Sequence, residues 1–337
     1  MPESTLASQM LPAIEAELKV AVERLGESSY AELMVMLSYH MGWVGEGAGP
    51  GATGKRIRPL LVLLTAAAAG GDWRNGLPAA AAIEMVHNFS LIHDDIEDDS
   101  PLRRGRSTVW KKWGIAQALN AGDAMFTIAH LEIMRLEGTT GDQIALRAAR
   151  LLQETCLELT KGQFLDISYE GRSNLTQEDY WPMVGGKTAA LIAACTELGA
   201  MTARAEPAIQ SEYRQFGYNL GLAFQALDDL LGIWGDATQM GKSAQSDLVS
   251  GKKSLPVLYG LSQDGLFAER WRKDPIQPGE VEQLAHILES EGARDYTQET
   301  AVCLTERAIQ ALTQAQPHGA AGEELIALAN QLLRRSG

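Results

Sequence analysis

Five carboxylates fall within six positions, at Asp94, Asp95, Glu97, Asp98 and Asp99, and the arginines Arg103 and Arg104 follow shortly after. On a helix, Asp94 and Asp98 stand one turn apart on one face, roughly 6 Å from each other. At an effective dielectric of about 20, two charges at that range repel by about 3 kcal/mol. A fold that holds both in a cleft therefore calls for a divalent cation, and an all-oxygen ligand set selects Mg²⁺ over zinc. One acidic run alone is more often a solvated helix end. Here a second pair, Asp228-Asp229, lies inside another apolar helical segment, residues 222–231. Two acid pairs on separate helices are most simply explained if they face each other across shared metals.

The cations worth chemistry are equally local. A glycine-rich stretch, residues 42–54, delivers Lys55 and Arg58 to the start of a helix. Cations there oppose the helix dipole, so they serve better as anion ligands beside open backbone N–H groups. His87 precedes Asp94 by seven residues, two turns up the same face; a packed core histidine and an anion ligand both remain open. Gln163 and Asp166 share a face near the end of a long helix, where they would orient a ligand or cap the helix. Gly185-Gly186-Lys187-Thr188 lies within an apolar helical segment. It lacks the Gly-x-x-x-x-Gly spacing and preceding strand of a nucleotide-binding loop, yet a lysine in such surroundings needs an anion. A loop at residues 237–251 carries Lys242 and Asp247, with Lys252 and Lys253 behind it.

The elements that must position these residues read as helices. The first, at residues 6–25, carries Leu11, Ile14, Leu18 and Val22 on one stripe. Others follow at 30–41, from Pro59 to Ala69, from Pro78 (a permitted first-turn proline) into the acidic run, and at about 140–169. Thr176-Gln177-Glu178-Asp179 marks a further helix start. No strand-like alternation of useful length and no internal repeat occurs. The expectation is one all-α helical bundle occupying residues 1–337 as a single domain.

Composition narrows the function. With 337 residues the chain can bury a large core, and 45% apolar content with only 6% aromatics leans helical. A formal charge of −14 argues against a nucleic-acid partner; the one basic-aromatic patch, Trp110-Lys111-Lys112-Trp113, is too short to reverse that. Cys156, Cys195 and Cys303 are far apart, neither a disulfide framework nor a zinc spacing, which points to a reducing cytoplasm. Met1-Pro2-Glu3-Ser4 opens no signal peptide, and the apolar run at residues 59–69 is too short to span a bilayer.

In order and spacing these motifs resemble the trans-type polyprenyl synthetase family, the short-chain isoprenyl diphosphate synthases. The resemblance runs from about Lys55 to Lys253. It rests on Gly-Lys-Arg-Ile-Arg-Pro at 54–59, His87, the segment from Ser90 to Asp98, Arg103-Arg104-Gly105, Gly162-Gln163, Lys187-Thr188, Phe224-Gln225, Asp228-Asp229, Gly241-Lys242, Asp247 and Lys252. It implies a large helical bundle of the isoprenoid synthase type around a deep central cavity. It implies an enzyme that joins an allylic diphosphate head to tail with isopentenyl diphosphate, releasing pyrophosphate. By motif position Asp94, Asp98 and Asp228 resemble the ligands of a three-magnesium cluster, with Asp95 counted among the catalytic acids. Arg103, Lys187 and Lys242 resemble the cations that meet the allylic diphosphate directly. Lys55, Arg58, His87 and Arg104 resemble the isopentenyl diphosphate pocket, and Thr188, Gln225 and Lys252 join the substrate-binding set. A homodimer is implied as well.

Charge explains that division. A diphosphate cannot approach several carboxylates unless metals intervene, whereas one met only by Lys, Arg and His is held without being activated. The chain departs from the family once. The second motif, usually Asp-Asp-x-x-Asp, here reads Asp228-Asp229-Leu230-Leu231-Gly232, which puts metal affinity in doubt more than reaction class. Phe89 and Ser90, five and four residues before Asp94, match a pattern that implies a geranylgeranyl (C20) product, with farnesyl (C15) and C25 products as alternatives. A class I terpene cyclase would have no need of Lys55, Arg58, His87 and Arg104. The rival from another class is a non-catalytic subunit that modulates an active partner.

Overall fold

The computed structural model describes residues 6–26, 28–235, 246–273 and 275–333. Its described elements are helical except for one two-residue hairpin. The chain divides into two compact units, residues 1–154, 195–210 and 316–323 in the first, and residues 155–194, 211–315 and 324–337 in the second.

The first unit contains α1 (Leu6–Glu23), α2 (Ala31–His40), α3 (Pro50–Thr53), α4 (Ile57–Ala68) and α5 (Leu77–Glu97). The hairpin of β1 (Leu102–Arg103) and β2 (Arg106–Ser107) follows, then α6 (Val109–Trp113), α7 (Ile115–Met134) and α8 (Glu137–Thr140). The buried stripe of α1 is Met10, Ile14, Leu18 and Val22. Its first member is Met10 rather than Leu11, which is half-buried. Helix α5 begins at Leu77-Pro78 and then buries every residue from Pro78 to Val86. A helix apolar on all sides belongs at the centre of a core, and the alanines at 79–82 let α1, α4 and α7 pack closely around it. At its other end Asp98 caps the helix and Asp99 turns left-handed (φ 48°). Arg104 and Gly105 both have positive φ, 52° and 74°, the conformation of a two-residue type I′ turn that suits hairpin twist.

The second unit takes the later part of α9 (Asp142–Glu170), then α10 (Gln177–Val184), a π-helical turn at Gly185–Ala189 and the start of α11 (Ala190–Thr202). Most of α12 (Pro207–Trp234) and the helices Ser246–Ser250, Leu255–Ser262, Leu266–Trp271, Val281–Ser290 and Ala293–Gln314 complete it. α10 opens at the expected capping box between Thr176 and Asp179. Lys187, expected within an ordinary α-helix, sits instead in the π turn. Gly185-Gly186 loosen the backbone there, and such bulges recur at functional sites. Ile233, Leu248, Val257, Phe267, Val281, Leu284 and Leu288 form the core on which α12 ends.

Candidate active site

The basic motif of the first unit is organised by Arg56, the residue between the two expected ligands. Arg56 is 4% exposed and takes a left-handed backbone conformation (φ 48°) at the N-cap of α4. Its Nε donates to Glu15 (2.6 Å), Nη1 to Glu84 (2.8 Å) and Nη2 to the Met41 carbonyl (3.3 Å). Asn88, one turn beyond Glu84 on α5, donates to Glu84 at 3.0 Å. This buried lattice fixes the entry to α4. It leaves Lys55 exposed and Arg58 half-buried.

Arg58 Nη1 lies 3.3 Å from His87 Nε2. A guanidinium only donates, so Nε2 accepts and the imidazole proton sits on Nδ1. Burial, and then the charge of Arg58, hold the His87 pKa well below the ordinary histidine value, so this ring is neutral. The Nε–H of Arg58 is buried and has no hydrogen-bond partner among the described residues. A second histidine, His40, has a buried Nε2 in the same condition. Burial, followed by the charges of Arg103, Arg104 and Arg56, pulls its pKa down to about 3. Arg104 donates to the Ala52 carbonyl at 2.7 Å, and its guanidinium lies against Gly54, where a Cβ would come within 2.7 Å. Gly54 also has φ 78°, a conformation that favours glycine there.

The acidic end of α5 separates into two roles. The Asp98 N–H donates to the Asp94 carbonyl at 2.9 Å, which carries the helical repeat through both residues and keeps them on one face. Asp94 is half-buried and Asp98 exposed. Asp95 is 2% exposed, and both of its oxygens accept Arg103 Nε, at 2.9 and 3.0 Å, with Nη2 at 2.8 Å. Asp95 therefore aims Arg103 and pins the hairpin to α5. Four residues upstream of His93, Phe89 packs edge-on against that ring (5.0 Å) and tilted against Phe126 of α7 (4.9 Å). Ser90 turns its hydroxyl back to the His87 carbonyl at 2.8 Å.

In the second unit the same separation recurs. Asp228 is exposed, while Asp229 is 1% exposed. Asp229 accepts from the Tyr180 hydroxyl (2.8 Å), Gln225 Nε2 (3.0 Å), the Leu255 backbone N–H (3.0 Å) and Lys252 Nζ (3.4 Å). Burial, then the Asp229 charge, raise the Tyr180 pKa far above the phenol range, so its proton stays on the hydroxyl. Burial works against the charge of Lys252, but Asp229 and then Asp247 hold its pKa above the ordinary value. Gln225 also accepts from Thr188 at 2.9 Å. Lys187 pairs with Asp166 of α9. The π turn carrying it lies so close to α9 that a Cβ on Gly162 would come within 2.0 Å of the Lys187 backbone nitrogen.

Among the described residues no three acidic, histidine or cysteine side chains converge on a point that would hold a metal. Mg²⁺ asks for less. It is commonly held by one or two carboxylates, waters and substrate phosphate oxygens, a kind of donor that Asp94 and Asp98 offer in the first unit and Asp228 in the second. The buried thiols offer no rival chemistry: burial pushes Cys156 up to about 11 and Cys195 to about 12, so neither is a thiolate nucleophile.

Residues 50–288 match the polyprenyl synthetase family model. The chain belongs to the polyprenyl synthetase family. A geranylgeranyl diphosphate synthase from Mycobacterium tuberculosis is 39% identical, covering 98% of this chain and 94% of its own. A (2E,6E)-farnesyl diphosphate synthase from the same organism is 41% identical over 77% of this chain and 74% of its own. A polyprenyl synthetase from Streptomyces coelicolor has a TM-score of 0.87 at 37% identity, covering 96% of this chain and 98% of that one. The geranylgeranyl pyrophosphate synthetase from Pyrococcus horikoshii has a TM-score of 0.88 at 30% identity, covering 98% and 97%. The all-α isoprenoid synthase fold expected from the sequence is the fold of these neighbours.

Within this polyprenyl synthetase, the first unit brings Arg58 and His87 into contact beside Arg104, and ties Arg103 to the acidic helix end. The second links Thr188, Gln225, Asp229 and Lys252 in one hydrogen-bonded chain. Lys242 lies outside the described residues. Sequence reasoning missed Arg56, Glu84, Asn88, His40 and Tyr180. Glu84 and Asn88 did leave a signal: two polar residues one turn apart inside an otherwise apolar helix must find buried partners.

Proposed function

We propose that this enzyme is a trans-prenyltransferase that condenses isopentenyl diphosphate with an allylic diphosphate and stops at geranylgeranyl diphosphate. The observation that carries the reading is the buried Arg58 Nε–H without an acceptor, set beside a neutral His87. An orphaned buried donor is destabilising by about 1–3 kcal/mol, and a diphosphate oxygen relieves it. In this reading Lys55, Arg58, His87 and Arg104 grip the isopentenyl diphosphate. His87 contributes its Nδ1–H, because Nε2 already accepts from Arg58.

Asp94, Asp98 and Asp228 would hold Mg²⁺, three ions in the expected arrangement, with Asp95 and Asp229 orienting their surroundings from buried positions. Bound Mg²⁺ supplies Lewis acidity that draws charge from the departing diphosphate. Arg103 and Lys187, each aimed by its own carboxylate, donate to the allylic diphosphate, as Lys242 is expected to do; Thr188, Gln225 and Lys252 line the same group. The allylic C–O bond breaks and pyrophosphate departs, and the isopentenyl double bond attacks the allylic cation to form the new C–C bond. The resulting cation loses a proton to the released pyrophosphate or a nearby group, while exclusion of water keeps either cation from being quenched. Phe89, braced by His93 and Phe126, closes the space available to the growing chain and sets C20 over C15 or C25.

Residues 1–337 make up a single catalytic domain in this reading. No helix among the described residues is long and apolar enough to cross a membrane, and a cytoplasmic location agrees with three unpaired cysteines. A homodimer would cover the exposed Leu119, Leu131 and Met134 of α7 and Phe164 of α9, which are 42–68% exposed.

Incubation of the purified protein with Mg²⁺, isopentenyl diphosphate and, separately, dimethylallyl, geranyl and farnesyl diphosphate tests the reading. The expected result is a C20 product from each. Gly232 favours one second reading, a modulating subunit; absence of turnover that is restored only by an added partner would establish it.

A further inference from the structure

The glycine-rich stretch that leads from α2 to Lys55 has little means of holding itself. Six of its thirteen residues, 42–54, are glycine, the residue that gives up most freedom on ordering. It is held from outside by Arg106 of β2. Arg106 Nη1 donates to the Tyr39 carbonyl (2.7 Å), Nη2 to the Val44 carbonyl (2.7 Å) and Nε to the Glu46 carbonyl (2.9 Å). The guanidinium carbon stands 4.0 Å from the centre of the Tyr39 ring. The Tyr39 hydroxyl donates in return to the Ser107 carbonyl at 2.9 Å. The basic-aromatic run at residues 110–113 belongs to the same knot: the Trp113 ring meets Tyr39 edge-on at 5.1 Å, and Lys112 Nζ lies 4.7 Å from the Tyr39 ring centre.

We propose that Arg106 is a positioning residue for the isopentenyl diphosphate subsite, acting through the loop it grips. This rests on the proposed assignment of Lys55 and Arg104 to that subsite, and deepens it by naming what fixes the chain between them. The connection is short. The Gly49 N–H donates to the Gly42 carbonyl at 3.1 Å, and a Cβ on Gly42 would come within 2.5 Å of the Ala52 carbonyl carbon. The gripped half of the loop therefore packs directly on its second half. There the Ala52 carbonyl accepts Arg104 at 2.7 Å, and Lys55 follows three residues later. Arg104 and Arg106 stand on either side of Gly105, so one hairpin holds the loop at both of its halves. Arginine suits the task, because its planar fork offers five N–H groups in fixed directions and three carbonyls converge on it. A lysine ammonium carries the same charge as a point and does not reproduce the fork.

The competing account is that Arg106 merely holds the fold together, and substrate binding separates the two. Isopentenyl diphosphate is titrated into full-length protein in metal-free buffer by calorimetry, hydrogen exchange across residues 42–54 is followed by mass spectrometry, and the thermal midpoint is recorded. Arg106→Gln should speed exchange in that stretch and weaken isopentenyl diphosphate binding, each by about tenfold. Arg106→Lys keeps the charge but loses the fork, and should bind no more than about twofold better than Arg106→Gln. Arg135→Gln breaks ion pairs to Glu17 of α1 and Glu132 of α7 instead. It should lower the midpoint while leaving that affinity within about twofold of the parent. Parental affinity in Arg106→Gln overturns the proposal, as do full recovery in Arg106→Lys and an equal loss of affinity in Arg135→Gln. Unchanged exchange across residues 42–54 in Arg106→Gln overturns it as well, whatever the ligand. A parent protein that binds no isopentenyl diphosphate is a separate result, against the reading beneath.

Discussion

Gly162→Ala adds a single methyl group and should disable the enzyme. Its Cβ would stand 2.0 Å from the Lys187 nitrogen, 2.6 Å from the Gly186 carbonyl carbon and 2.7 Å from Lys187 Cα. The reverse view agrees: a Cβ on Gly186 would lie 2.6 Å from the Glu158 carbonyl oxygen. Ordinary contact begins near 3.4 Å, so the π turn must retreat from α9 by about 1.4 Å. Both surfaces are backbone, and no side-chain tip is available to swing away. Overpacking of this kind costs about 3 kcal/mol. Lys187 rides on the displaced turn while its partner Asp166 stays on α9, and if Lys187 meets the allylic diphosphate as proposed, misplacing it by about 1 Å lowers turnover by about 10²-fold. Steady-state product formation at saturating substrates and a urea titration read the two effects. Gly171→Ala is the control, since nothing lies within 4 Å of a Cβ there. Parental kcat together with a stability loss below about 1 kcal/mol in Gly162→Ala would refute the reasoning.

Three other outcomes are expected. Phe89→Ala opens the aromatic stack with His93 and Phe126 and should lengthen the product beyond C20; an unchanged product distribution removes Phe89 as the chain-length stop. His40 has a folded pKa of about 3 against an ordinary 6.5, so only the unfolded chain takes up its proton between those values. Its contribution is complete above pH 6.5 and declines as pH falls toward 3, by about 1.4 kcal/mol at pH 5.5. The stability gap between the parent and His40→Gln should narrow by that amount from pH 8 to pH 5.5 in urea titrations, and a gap independent of pH would place a charged His40 in the folded protein. Asp229→Ala strips the shared acceptor from Tyr180, Gln225, Lys252 and the Leu255 N–H and should destabilise by about 3–5 kcal/mol. Its neighbour Asp228→Ala should cost less than about 1 kcal/mol yet abolish Mg²⁺-dependent turnover. The same loss from both, in either assay, would show that the two acids do not divide the work.

The helical nature of the chain and the identity of its ionic motifs were readable from residue order. Periodicity located α1 and α5, and the capping box located α10. What residue order could not give was which member of each acid pair faces inward. Asp94-Asp95 and Asp228-Asp229 are chemically identical pairs, and only packing buries Asp95 on Arg103 and Asp229 on Tyr180. Arg56 escaped notice for a related reason. Between Lys55 and Arg58, both expected to bind an anion, it looks like a third, and its left-handed backbone and two glutamate partners depend on α1 and α5 arriving from distant parts of the chain. The π turn was equally hidden, because nothing in Gly185-Gly186-Lys187 distinguishes a widened helix from a regular one until α9 presses against it.

The bond between Asp95 and Arg103 makes the end of α5 and the arginine hairpin a single mechanical part. A displacement of that helix end is passed through Asp95 to Arg103, so in the proposed reading occupancy at Asp94 and Asp98 and occupancy at Arg103 would favour one another.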